Sequence, residues 1–81
     1  MGNTYKTKDF YLTALFLSYG FKLVDSEKKP EGVYFEVEIH DNNLLRKLIN
    51  DFVNYTATVN LGKLTRSTTI LKKELDKHKN K

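Results

Sequence analysis

Residues 33–39 read Val-Tyr-Phe-Glu-Val-Glu-Ile, and this short run decides the architecture. Apolar side chains fall at Val33, Phe35, Val37 and Ile39, with Tyr34, Glu36 and Glu38 between them. Successive strand residues point to opposite faces, so strict alternation describes a strand with one face on a core and the other in water. The wet face carries two glutamates and one aromatic. A sheet built to stack RNA bases would show aromatics flanked by basic residues there, so this face is disfavoured as a phosphate platform.

Upstream, Phe21 to Asp25 is a second strand. The segment Ser26-Glu27-Lys28-Lys29-Pro30-Glu31-Gly32 between the two consists of turn formers and charges, which predicts a hairpin with a long loop. Before it, Phe10 to Tyr19 runs without a breaker to Gly20 and reads as a helix, with Thr7 as the expected N-cap and Asp9 in the first turn. A left-handed Gly20 would let Phe21 fold back on Phe16, the contact a Schellman ending favours. This helix is apolar on nearly every side, interrupted only by Thr13 and Ser18. It is therefore expected at the centre of the fold. Asn3 to Thr7, with β-favouring Thr4, Tyr5 and Thr7, is a candidate edge strand.

Downstream, Asp41 is the expected cap of a second helix, Asp41–Asn54, whose Leu44, Leu45, Leu48, Ile49, Phe52 and Val53 make one apolar face. Tyr55 to Val59 reads as a connector or edge strand. Asn54-Tyr55-Thr56 matches a glycosylation acceptor but is set aside, because no secretory route is expected. Asn60 is placed to cap a third helix, Leu61–Lys77, with Leu61, Leu64, Thr68, Leu71 and Leu75 as its seam. At about 100° per residue, Lys63, Arg66, Lys73 and Lys77 line the opposite face, interrupted by Ile70 and Glu74.

These elements predict an α+β fold of order β-α-β-β-α-α: a small antiparallel sheet packed on one face by three helices. The expected core is Phe16, Leu23, Phe35, Val37, Leu45, Leu48, Phe52, Leu64 and Leu71. Residues 1–77 form one domain. His78 to Lys81 are expected to be a disordered basic tail, because nothing apolar follows Leu75. Truncation after Lys77 should then leave the fold intact.

The chain has 81 residues, 40% hydrophobic and 30% charged, which is too apolar for disorder and too polar for a membrane protein. With no cysteine, disulfides and thiolate-ligated metals are excluded and a reducing, cytoplasmic setting fits best. Phe10 to Leu23 falls short of the ~20 residues of a membrane span and contains Lys22. It does not read as a signal peptide either, lying behind a polar start without a small-residue cleavage site. A domain of this length has only about 3–5 kcal/mol of core stability, so a homodimer or partner-assisted stability is reasonable.

Charge is unevenly spread. Up to Asn60, seven Lys and Arg face eight Asp and Glu, a net of −1; from Leu61 onward seven face two, a net of +5. The last quarter of the chain is thus suited to nucleic acid or an acidic protein surface. With twelve lysines and two arginines, the bidentate reader of guanine is scarce, and any nucleic-acid binding is expected to be backbone-directed and non-specific.

Catalysis is not expected. His40 and His78 lie in unlike settings, Glu36 and Glu38 share an open sheet face, and Gly2, Gly20, Gly32 and Gly62 form no phosphate cradle. No catalytic residue, metal or cofactor is assigned.

The opening Tyr5-Lys6-Thr7-Lys8-Asp9-Phe10-Tyr11-Leu12, followed by Gly20-Phe21-Lys22-Leu23 and later Val33-Tyr34-Phe35, resembles a family of short prokaryotic and phage proteins known as a domain of unknown function. The distinctive part is the Y-K-T-x-D opening with its Gly-terminated helix. The resemblance runs from Tyr5 to about Leu75 and implies a phage or mobile-element setting, but assigns no site. The leading expectation is a non-enzymatic accessory protein whose Lys63, Arg66, Lys73 and Lys77 bind nucleic-acid backbone. The alternative is a protein-binding module, such as a phage-encoded modulator of a host enzyme or defence complex.

Overall fold

The computed structural model describes residues 3–79, in the order β1 (Asn3–Thr7), α1 (Phe10–Ser18), β2 (Lys22–Lys29), β3 (Gly32–Ile39), α2 (Asn42–Val53) and α3 (Leu61–Lys79). The strands form one open sheet, β1-β3-β2. The alternating strand β3 is central and antiparallel to both neighbours, so β1 and β2 run parallel on either side of it. This is the α+β order expected from the sequence, with Asn3–Thr7 as an edge strand.

Helix α1 crosses from β1 to β2 and is buried along most of its length, as its composition predicted: Leu12, Thr13, Ala14, Leu15, Phe16 and Ser18 are all inaccessible. Its cap differs from expectation. Asp9, not Thr7, is the N-cap and accepts from the Leu12 N–H at 3.0 Å, while Thr7 Oγ1 accepts from the Asp9 N–H one step earlier. At the other end Gly20 has φ 96°. Phe21 N–H donates to the Phe16 carbonyl, and Gly20 N–H to that of Leu17. That is the Schellman pattern, and the Phe16 and Phe21 rings pack at 5.6 Å.

The hairpin is longer and tighter than its composition suggests. Strand β2 continues to Lys29, which pairs with Gly32, leaving Pro30 and Glu31 as the turn where a seven-residue loop was expected. Pairing with β3 satisfies the backbone of this polar run, and the Lys29 ammonium lies 5.2 Å from the Tyr34 ring centre. A bulge between Leu23 and Asp25 shifts the register, so that Leu23 pairs with Val37 and Ser26 with Phe35. Cross-strand partners share a face, and Ser26 is thereby turned toward the helices.

Two apolar clusters flank α1. One joins Leu12, Leu15, Phe16, Phe21, Val37 and Ile39 to Leu48 of α2; the other joins Ala14 and Phe35 to Leu71 of α3. Of the expected core, Phe16, Phe35, Val37, Leu48 and Leu71 are buried, whereas Leu23, Leu45, Phe52 and Leu64 are half-buried at its margins. Asp41 caps α2 as expected, accepting from the Asn43 and Leu44 N–H groups. Residues 56–60 form a connector, not an edge strand; Ala57 and Val59 pack against the first cluster.

Helix α3 keeps four of its five expected seam residues inward, Leu71 fully and Leu64, Thr68 and Leu75 in part, and departs at its two ends. Leu61, expected in the seam, is 76% exposed, and Ser67 is buried with Leu71. Ser18 Oγ donates to the Ala14 carbonyl at 2.8 Å and lies 3.1 Å from Ser67 Oγ. With the Ser18 proton committed, Ser67 is the donor between them. Small side chains at Ala14, Ser18 and Ser67 let the two helices meet closely, and this rotates the buried stripe of α3 away from Leu61. The helix also runs on through Lys79, so His78 and Lys79, expected in a disordered tail, are helical. The last two residues of that tail lie outside the described residues.

Candidate functional site

Asn60 caps α3, its Oδ1 accepting from the Lys63 N–H at 3.1 Å. The first two turns of the helix form one wall of an open groove of about 840 Å³. The opposite wall is the end of α1 and the start of β2. Leu17, Phe21, Leu23, Val59 and Ile70 supply its apolar surface, and Lys63 and Arg66 stand along its α3 wall. Lys22 lies at its margin, but its cross-strand partner is Glu38, so its side chain shares the open sheet face with that carboxylate. No Asp or Glu lines it. The connector closes one end, held where the Tyr19 hydroxyl donates to the Thr58 carbonyl.

The four cations expected from the sequence do not stand together as one site. Lys63 and Arg66 line the groove and make no ion pair among the described residues. Lys73 is exposed two turns beyond Arg66 on the same ridge. The Lys77 ammonium is drawn to Glu74 Oε1 at 3.1 Å. Leu23 was expected in the core, and only the packing of α3 across from the Gly20 helix stop puts it in one groove with Lys63 and Arg66.

A second polar cluster was missed by the sequence reading. Ser26 Oγ donates to Glu74 Oε2 and lies 2.8 Å from His78 Nε2. Since the Ser26 proton goes to the carboxylate, Nε2 of His78 must be the donor to Ser26. The Ser26 hydroxyl, more than any other group, holds the Glu74 carboxyl below its ordinary value of 4.5, with Lys77 and His78 adding to the effect against partial burial. A serine beside a histidine and a glutamate suggests a nucleophile, but the polarity here is opposite to that need: the base must accept the serine proton, and His78 donates instead. The cluster ties β2 to the last turns of α3.

The remaining candidates are placed as follows. His40 is exposed, its ring edge-on to Phe21 at 4.7 Å. Glu36 pairs across the sheet with Lys6 and Asp25, and Glu38 with Thr4 and Lys22. Among the described residues no group of three or more His, Asp or Glu is arranged to hold a metal ion, and no helix is long and apolar enough to cross a membrane.

The chain belongs to the family described as Domain of unknown function (DUF5659), whose model matches residues 2–77. No curated protein and no solved structure matches it.

Proposed function

We propose that this protein is a non-enzymatic binding module whose α3 groove receives an acidic surface of a partner protein. The observation that carries the reading is the lining of the groove: apolar at Leu17, Leu23, Val59 and Ile70, cationic at Lys63 and Arg66 on the α3 wall, and without a carboxylate among its lining residues. Apolar area supplies affinity and the cations supply orientation and encounter rate. Phosphates alone would engage the cations and leave the apolar surface uncovered. The module works in the cytoplasm, in keeping with its lack of cysteine, and a role as a phage or mobile-element modulator of a host protein is in keeping with its surface. A second copy of the chain is the other protein partner to test.

Binding to nucleic-acid backbone is the second reading, favoured by the row Lys63, Arg66 and Lys73 on one exposed ridge. With Lys77 engaged by Glu74, three free cations give a log–log salt slope near −2.7 on duplex DNA, against about −3.6 for four. The two readings separate in one experiment. Immobilised protein is offered host lysate with and without nuclease, beside a Lys63→Glu/Arg66→Glu variant, while labelled duplex and single-stranded probes are titrated in parallel. Capture that survives nuclease and is lost in the variant supports a protein partner. Capture lost to nuclease, with probe binding of the stated slope, overturns it.

A further inference from the structure

The shape of the groove narrows the partner further. On its α3 wall, Lys63, Arg66 and Ile70 fall at i, i+3 and i+7, a stripe on one helix face that spans ~10 Å, or two turns. Ile70 is 43% exposed, so its side chain is accessible from the groove. Facing it, Leu23 lies near the start of β2 on the helix side, paired with Val37, and the bulge between Leu23 and Asp25 breaks the register directly afterwards. An added strand would have to pair along an edge interrupted within its first residues, which disfavours strand addition. A helix needs no backbone partner. It recognises a groove through apolar anchors at i, i+3 or i+4, and i+7, and its flanking residues would meet the two cations of α3.

Resting on the acidic-partner reading above, we infer that the groove takes a short amphipathic helix, about three turns long, with an apolar stripe bordered by Asp and Glu. The stripe packs on Leu17, Leu23, Val59 and Ile70. Carboxylates along one flank meet Lys63 and Arg66 on the α3 wall. Nucleic acid would use the same cations but not Ile70.

Four labelled probes decide this by fluorescence anisotropy against the full chain: a 16-residue acidic amphipathic helix with Leu or Phe at the anchor positions, a scrambled peptide of the same composition, the helix with Lys replacing Glu, and a single-stranded oligonucleotide. The helix is expected to bind saturably below about 100 µM, and the other three are not. Arg66→Glu and Lys63→Glu should each weaken it at least tenfold, whereas Lys22→Glu, on the open sheet face, should not. Ile70→Ser should do the same at unchanged salt dependence, and its exposed position leaves the fold intact, as circular dichroism would verify. Equal binding of the scrambled peptide overturns the helical partner while leaving an acidic one. Binding of the oligonucleotide alone, or of no probe, overturns both. Ile70→Ser without effect refutes the apolar stripe.

Discussion

Ser26→Ala should loosen the last turns of α3 while leaving the sheet in place. In the native protein the Ser26 hydroxyl donates to Glu74 and accepts from His78 Nε2 at 2.8 Å, so one small side chain holds two groups a helical turn apart. A hydrogen bond to a charged group is worth about 1.5–3 kcal/mol. Glu74 keeps Lys77 at 3.1 Å, and its side chain is 17% exposed, so water and the ammonium recover part of the loss. The expected cost is therefore about 1–2 kcal/mol, a fall in Tm of ~5–15 °C for a domain of this size. Its pH dependence has a definite sign. Glu74 is held below its ordinary value of 4.5 in the fold, so its contribution is complete above that value and is lost as pH falls through the lowered one. The gap between Ser26→Ala and wild type should be full at pH 7 and shrink as pH falls below about 4.5. Urea melts at several pH values measure the gap, and amide exchange locates it, with protection falling from Glu74 to Lys79 but not along β3. Equal protection of those amides in the two proteins, or a gap independent of pH, would refute the assignment of Ser26 as the tie.

Two further predictions concern the core. Phe35→Ala empties a side chain that is 1% exposed, in contact with Phe10 and clustered with Ala14 and Leu71. It should cost about 3–5 kcal/mol, most of the stability of so small a domain, and a melt within error of wild type would mean that the face assignment of β3 is wrong. Ser67→Leu should be worse than Ser67→Ala: alanine removes one hydroxyl from the Ser18 pair for about 1 kcal/mol, whereas leucine forces α1 and α3 apart. Chemical denaturation that ranks leucine equal to or above alanine would contradict the close helix contact.

Residues 33–39 needed nothing but their own alternation to be read as the central, half-buried strand. Asp41, Gly20 and the all-round apolar Phe10–Tyr19 segment likewise carried their roles locally, because a cap, a left-handed stop and an uninterrupted apolar surface are properties of a few adjacent residues. The basic character of α3 was equally legible. What the sequence could not supply were facts about pairs of residues far apart in the chain. The run from Ser26 to Lys29 is polar enough to be a loop and becomes strand only because β3 is there to take its hydrogen bonds. The bulge beside Val24 decides that Ser26 faces inward, and only then do Glu74 and His78 have a partner that extends the helix through Lys79. The seam of α3 was read correctly at Leu64, Thr68, Leu71 and Leu75 and missed at its first residue and at Ser67 for a similar reason. Leucine spacing points to Leu61, but close approach at Ala14, Ser18 and Ser67 rewards small residues that no hydrophobic periodicity marks. Leu23 meets Lys63 and Arg66 in one groove through packing alone. Local propensity and patterning fix elements, whereas register, helix rotation and the meeting of charges depend on surfaces that exist only once the chain has closed on itself.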